Sequence, residues 1–142
     1  LVENNMVQVE NESLAWSPTT AHMLAVSDID LVTLWDVQQN KLLLTLKTNA
    51  PLYELTGLTW SSNGRYLAAS AAGSGHIYVW DVQAASATSS TASNPVVPVL
   101  SFPQPGMQVH KASIAALDWS PDGRFIVSAS YDTTAVVWKV AG

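Results

Sequence analysis

Six tryptophans fall into three pairs along this chain of 142 residues. The pairs are Trp16 with Trp35, Trp60 with Trp80, and Trp119 with Trp138, separated by 19, 20 and 19 residues. From pair to pair the first tryptophan advances by 44 and then by 59 residues. Self-similarity at a fixed period of roughly 20–50 residues is the signature of a repeat architecture. The sequence therefore predicts three copies of one structural unit, one of which carries an insertion.

The residues around each pair also repeat. The first tryptophan opens a turn-like segment, and the second closes an apolar run in the sequences Leu34-Trp35-Asp36-Val37, Val79-Trp80-Asp81-Val82 and Val137-Trp138-Lys139-Val140. In Ser120-Pro121-Asp122-Gly123 the proline fixes φ for a tight turn, and the glycine accepts a positive φ. These turns separate short runs rich in branched and aromatic residues, which predict strands over 42–46, 55–60, 66–71 and 77–82. No window keeps apolar residues at helical spacing, so the pattern predicts an all-β chain.

The three copies resemble the WD-repeat family, in which each repeat is a four-stranded antiparallel blade arranged around a central axis. The resemblance covers nearly the whole chain. It implies an all-β fold of three four-stranded antiparallel blades of a β-propeller, in units of about 1–47, 48–102 and 103–142. The residues between Trp80 and the next strand lack large apolar side chains, so we expect a flexible loop over 83–95. Val96–Phe102 then reads as the outermost strand of the second blade.

The third copy carries the most complete version of the family pattern. Its resemblance implies that His110, Ser128, Asp132 and Trp138 form a hydrogen-bonded chain within the blade. A buried imidazole and a buried carboxylate need partners, and here they would satisfy each other. The same residue types could suggest a hydrolase triad, but the tryptophan period accounts for their spacing and catalysis does not. We therefore expect a structural network, with no catalytic, cofactor-binding or metal site.

The other two copies depart from this pattern. Val7 and Pro51 stand where the third copy has its histidine, and Ser74 stands where it has its aspartate. In the first copy Asp28 and Asp30 flank the aspartate position. We expect these two blades to be held more by packing than by polar contacts.

Composition excludes several classes of partner. The net charge is −5, and only six lysines and arginines are present, scattered along the chain. Because phosphate binding needs clustered basic residues, we expect no nucleic-acid partner. There are no cysteines to form disulfides or thiolate sites, and no apolar run approaches the ~20 residues that span a bilayer. The sequence thus predicts no membrane partner and is compatible with a cytoplasmic location.

Three blades leave two apolar sheet faces without a neighbour, and propellers need about four to eight blades to close. We expect the ring to be completed by further blades of a longer chain or by a homo-oligomer, either a dimer or a trimer. The chain ends directly after its third-copy tryptophan strand, which favours the longer chain.

The family resemblance implies a scaffold that binds other proteins or peptides on a rim of loops. Exposed aromatic and soft apolar residues are the usual hot spots of such surfaces. The candidates in the rim segments are Tyr53, His76, Met107 and Tyr131. An alternative is a structural or sensory segment of a larger multidomain signalling protein. A propeller enzyme with a metal in its central channel is a third class, and Asp118 is the acid that it would use first.

Overall fold

A computed structural model describes residues 13–48, 54–87, 95–104, 106–107 and 109–140 of the chain. Within these ranges eleven strands and one short helix form. The strands are β1 Leu14–Trp16, β2 Met23–Ser27, β3 Leu31–Asp36, β4 Lys41–Lys47, β5 Leu55–Trp60, β6 Tyr66–Ala71, β7 Ile77–Asp81, β8 Leu100–Phe102, β9 Ile114–Trp119, β10 Phe125–Ser130 and β11 Ala135–Lys139. The helix α1 spans Val82–Ser86. The four strands predicted from the sequence are confirmed to within one residue at each end.

The strands pair antiparallel in chain order and form three sheets. The first sheet has the order β1-β2-β3-β4 and the second β5-β6-β7-β8. The third sheet has the order β9-β10-β11, which gives it three strands among the described residues. Chain-order meanders of this kind confirm the predicted blade architecture.

The pairing register shows which positions of the three sheets are equivalent. Trp119 lies opposite Ile126, which lies opposite Trp138, and the same arrangement relates the tryptophans of the first and second sheets through Leu24 and Leu67. Cross-strand partners point to the same face of a sheet. The two tryptophans of every pair therefore share one face, with an aliphatic side chain between them.

Two hydrophobic cores lie between the sheets. One joins the first sheet to the second and includes Leu34, Leu46, Leu67 and Trp80. The other joins the second sheet to the third and includes Val79, Phe102, Ile126 and Trp138. The first tryptophan of each following sheet also donates its indole N–H to the preceding sheet, from Trp60 to the Ala15 carbonyl at 3.2 Å and from Trp119 to the Thr59 carbonyl at 3.1 Å. The second and third sheets thus dock on their predecessors in the same way.

The segment after Trp80 differs from the prediction of a flexible loop over 83–95. Its first residues form α1, because the Asp81 carboxylate accepts the Ala84 N–H at 2.9 Å and Val82 and Ala85 are buried. Residues 88–94 lie outside the described part of the chain. The outermost strand of the second sheet begins only at Leu100, so the prediction of a strand over Val96–Phe102 was too long.

Val96 instead joins the first sheet. It forms a parallel bridge with Leu46, in which its N–H donates to the Thr45 carbonyl at 2.9 Å and its carbonyl accepts the Lys47 N–H at 2.8 Å. The connection between β7 and β8 therefore ties the second sheet to the outer strand of the first. None of the helices among the residues described above is long and apolar enough to cross a membrane.

Candidate functional site

The structure brings His110, Ser128, Asp132 and Trp138 together in the third sheet. Imidazole Nε2 of His110 lies 2.7 Å from Ser128 Oγ, and Nδ1 lies 3.0 Å from Asp132 Oδ2. The indole of Trp138 donates to Ser128 Oγ at 2.8 Å. Since Ser128 accepts the indole proton, its own hydroxyl can donate to Nε2, and the network assigns the imidazole proton to Nδ1, facing the carboxylate. We refer to these four residues as the polar lock.

Asp132 sits in the turn between β10 and β11, and several donors surround it. It accepts hydrogen bonds from the Thr134 hydroxyl at 2.6 Å, the Thr134 N–H at 2.9 Å and the Lys111 N–H at 2.8 Å. The hydrogen bond from the Thr134 hydroxyl has the largest effect on the pKa of Asp132. It outweighs the opposing effect of burial, so the pKa lies well below its ordinary value. The Thr134 hydroxyl also lies 3.1 Å from His110 Nδ1. The sequence analysis did not single out Thr134.

The hydrogen bonds of the polar lock join residues from four separate segments of the chain. Ser128 has no exposed surface, and its oxygen is engaged by both the imidazole and the indole, so a substrate cannot reach it. His110 comes from the segment before β9, Asp132 from a turn, and the other two residues from β10 and β11. Their hydrogen bonds fix that segment and that turn to the sheet. In the described ranges, three or more His, Asp or Glu residues nowhere gather in a group able to hold a metal ion.

The equivalent tryptophans of the other sheets find different acceptors. The register places Val26 and Ala69 at the position of Ser128. Trp35 donates to the hydroxyl of Thr33 at 2.9 Å, and Trp80 donates to the carbonyl of Lys47, in the first sheet, at 3.3 Å. Each indole N–H is therefore satisfied, in the first sheet by a residue two positions earlier on the same strand and in the second sheet by a carbonyl of the neighbouring sheet.

The turn of the second sheet meets the segment that carries the polar lock. The Gly73 N–H donates to Ser113 Oγ at 2.8 Å, and the Ser113 carbonyl accepts the Tyr131 N–H at 3.1 Å. Gly75 has a φ of +67°, and a Cβ atom there would lie 2.7 Å from the His110 carbonyl oxygen. Only glycine accommodates both this backbone conformation and this close approach. The loops of the second and third sheets thus form one connected edge.

The four candidate binding residues differ in their surroundings. Tyr131 is 75% exposed and Met107 is 45% exposed. His76 is half-buried, with its ring stacked on Tyr78 and its Nδ1 3.0 Å from the Ser74 carbonyl oxygen. Tyr53 lies outside the described residues. Among the three described candidates, Tyr131 and Met107 are therefore the more accessible.

A second polar cluster, which the sequence analysis missed, lies at the opposite end of the sheets. The Arg65 guanidinium donates from Nε and Nη2 to Asp81 Oδ2 at 3.0 and 2.8 Å. Burial would raise the pKa of Asp81, but the hydrogen bonds from Arg65 and Ala84 outweigh it and hold that pKa below its ordinary value. Arg65 also borders a cavity of about 260 Å³ that Thr19, Met23 and Ser86 help to line. Because its guanidinium is already paired, this cavity has no free cation among those lining residues.

Antiparallel meanders of four, four and three described strands, docked face to face through equivalent tryptophans, define a protein of the β-propeller class. The family model described as WD domain, G-beta repeat, matches residues 40–81 and 102–139. The chain belongs to this WD-repeat family.

Curated relatives are much longer than this chain. Protein transport protein SEC31 of Yarrowia lipolytica is 26% identical over 130 residues, which cover 90% of this chain and 10% of the relative. A probable cytosolic iron-sulfur protein assembly protein, the CIAO1 homolog of Schistosoma japonicum, is 47% identical over 34 residues, or 24% of this chain and 10% of the relative. The matched residues span about a tenth of the length of each of these relatives.

Solved structures show the same fold at low sequence identity. The β-propeller domain of Myceliophteria thermophila Cps50 (Swd1) has a TM-score of 0.72 at 16% identity, covering 98% of this chain and 38% of that one. A chain in the crystal structure of the mitotic checkpoint complex has a TM-score of 0.67 at 19% identity, covering 92% of this chain and 37% of that one.

Proposed function

We propose that this chain is part of a protein-interaction scaffold, and that partner proteins or peptides bind the connected edge formed by the loops of the second and third sheets. The observation that carries this proposal is the placement of Tyr131. Its side chain is 75% exposed, yet the next residue in its turn belongs to the polar lock. An aromatic side chain presented on a rigid turn is the kind of residue that dominates binding energy in protein interfaces.

The turn that carries Tyr131 is ordered before any partner arrives. The Ser130 N–H donates to the Thr134 carbonyl at 3.0 Å, the Thr133 N–H donates to the Ser130 carbonyl at 3.1 Å, and the Asp132 N–H donates to Ser130 Oγ at 3.0 Å. Ordering flexible loops on binding opposes affinity, and a pre-organised loop avoids that cost. Met107 is 45% exposed, and its N–H donates to the Gln104 carbonyl at 2.9 Å.

Charge and the relatives support protein partners over other classes. A net charge of −5 disfavours a nucleic-acid backbone and an anionic membrane surface. The relatives are named for protein transport and for cytosolic iron-sulfur protein assembly. Both names describe work carried out with other proteins, and the second supports a cytoplasmic location for this chain.

An enzyme is not our proposal, because the polar lock has its serine oxygen fully engaged. Asp118, the acid that a channel enzyme would use first, accepts the N–H of its own neighbour Trp119 at 2.9 Å. A purely structural or sensory segment of a larger signalling protein is the competing proposal. It differs from ours in needing no partner on the loops of the second and third sheets.

Affinity capture with quantitative mass spectrometry tests the proposal. Wild-type protein is compared with Tyr131→Ser and with Val99→Ser, which removes an apolar side chain that is 61% exposed on the outer part of the second sheet. Loss of a hot-spot side chain costs about 2 kcal/mol or more, which is about 30-fold in affinity. We expect Tyr131→Ser to deplete captured partners by that order and Val99→Ser to retain them. Retention by both variants would contradict the proposed surface.

A further inference from the structure

Arg65 and Arg124 occupy the same place in the second and third sheets. The Arg65 carbonyl accepts the Val82 N–H and the Arg124 carbonyl accepts the Val140 N–H, both at 2.8 Å. Each guanidinium also lies over the aromatic ring of the next residue, at 5.0 Å from the ring centroid in the second sheet and 5.8 Å in the third. The third sheet therefore presents Arg124 in the way that the second sheet presents Arg65.

The residue that this arginine faces differs between the two sheets. Asp81 lies opposite Tyr66 in the second sheet, and Lys139 lies opposite the equivalent Phe125 in the third. In the second sheet the guanidinium donates from Nε and Nη2 to Asp81 Oδ2 at 3.0 and 2.8 Å. An arginine at this position thus reaches the residue that follows the second tryptophan of the pair. In the third sheet that residue is a lysine.

Arg124 and Lys139 have no counter-ion within the part of the chain that the structure describes. Both residues are exposed, and neither takes part in an ion pair there. The neighbouring Asp122 carboxylate is engaged instead by the Ser120 hydroxyl and by the backbone N–H of Arg124. Two like charges repel each other unless an anion lies between them. We refer to Arg124 and Lys139 as the cation pair.

We propose that the cation pair binds a carboxylate from an acidic segment of a partner protein. The carboxylate takes the place that Asp81 occupies in the second sheet, and it accepts hydrogen bonds from the Arg124 guanidinium and the Lys139 ammonium group. Hydrogen bonds between charged groups are about twice as strong as those between neutral groups. This surface lies at the end of the sheets opposite to Tyr131, so the inference goes beyond the loop surface proposed above and does not depend on it.

A carboxylate suits this position better than a nucleic-acid backbone. The second sheet shows a carboxylate seated on the equivalent arginine, with its distances and its donors. The whole chain has a net charge of −5, and Asp118 and Asp122 lie at the same end of the third sheet as the cation pair. A phosphate backbone is bound by many clustered cations, whereas one carboxylate requires only the two that are present.

A nuclear magnetic resonance titration of the 142-residue protein with a blocked hexaglutamate peptide tests the inference. Hexaglutamine is the uncharged control peptide. We expect hexaglutamate to shift the Arg124 Nε–H signal and to leave the Arg65 Nε–H signal in place, because Arg65 is already paired with Asp81. Hexaglutamine should shift neither signal.

Two neutralising variants separate the cation pair from a general effect of positive charge. Lys139→Gln should weaken hexaglutamate binding about tenfold, since a hydrogen bond to a charged group contributes that much. The matched control is Lys41→Gln, which removes an exposed lysine at the same end of the first sheet and should leave the affinity unchanged. An equal loss in both variants would show that the peptide senses net charge alone and would overturn the inference.

Lys139→Asp rebuilds in the third sheet the ion pair of the second sheet. We expect this variant to shift the Arg124 Nε–H signal without any peptide and to abolish hexaglutamate binding, and its thermal melt establishes that it is folded. Hexaglutamate binding as tight as in the wild type would overturn the cation pair as the site. Tighter binding of inorganic phosphate or of an oligothymidylate than of hexaglutamate would overturn the choice of a carboxylate. None of these variants changes the loop that carries Tyr131, so the proposed loop surface stands or falls separately.

Discussion

His110 Nε2 and Ser128 Oγ lie 2.7 Å apart in the interior of the third sheet, although the two residues belong to segments on opposite sides of β9. Both side chains are buried. The imidazole links Ser128 and Asp132, so a change at either end is transmitted to the turn that presents Tyr131. This relationship joins the stability of the sheet to the shape of the proposed binding surface.

Replacing His110 should destabilise the protein substantially. His110→Ala leaves the buried Ser128 hydroxyl with one partner fewer and removes a donor from Asp132, so we expect a loss of about 1–3 kcal/mol in the free energy of unfolding. Urea denaturation monitored by tryptophan fluorescence measures it. The control is His22→Asn, at an exposed turn position with a φ of +63° that asparagine tolerates. Equal stability of the two variants would contradict a structural role for the polar lock.

Asp132 should make stability depend on acid pH. Its pKa in the folded protein lies below the ordinary 3.8, so its stabilising effect is complete above that pH and is lost as the pH falls further. Asp132→Asn should therefore lower the melting temperature at neutral pH, and the difference from wild type should shrink below pH 3.8. Thermal melts from pH 7 to pH 2 test this. A difference that stays constant over the whole range would contradict the assignment.

The acceptors of the paired tryptophans should differ in importance. Ser128→Ala removes the acceptor of Trp138, which is 3% exposed, whereas Thr33→Val removes the acceptor of the half-buried Trp35. A buried donor without a partner costs about 1–3 kcal/mol, and one that water can reach costs less. We expect Ser128→Ala to be the more destabilising change in chemical denaturation. The reverse order would show that the first sheet relies on its polar contact more than the third.

The indole N–H groups should exchange with solvent at different rates. Those of Trp60 and Trp119 are hydrogen-bonded between sheets, and their side chains are 8% and 6% exposed. Trp16 is 59% exposed. Nuclear magnetic resonance after transfer to D₂O should show rapid loss of the Trp16 signal and persistence of the other two. Slow exchange of Trp16 would mean that its face of the first sheet is covered.

Much of the fold was predictable because the tryptophan period and the turn residues are local signals. Four strands were placed to within a residue, and the residues of the polar lock were grouped together by the resemblance of the third repeat to the WD-repeat family. The role of Thr134 was not predicted, because nothing in the sequence distinguishes a threonine that follows a turn aspartate. Its role arises only where the turn brings its hydroxyl to both Asp132 and His110.

The repeated tryptophans, their spacing and the glycine-containing turns determined the three antiparallel units, since strand length and turn type depend on neighbouring residues. Tertiary structure alone decided that Val96 joins the first sheet, that Trp80 donates to Lys47, and that Asp81 caps a helix while it binds Arg65. The sequence separations of these contacting groups do not follow the period of the tryptophan repeat. They form because a backbone or side-chain polar group, once packed between sheets, takes whichever partner the fold places within hydrogen-bonding distance.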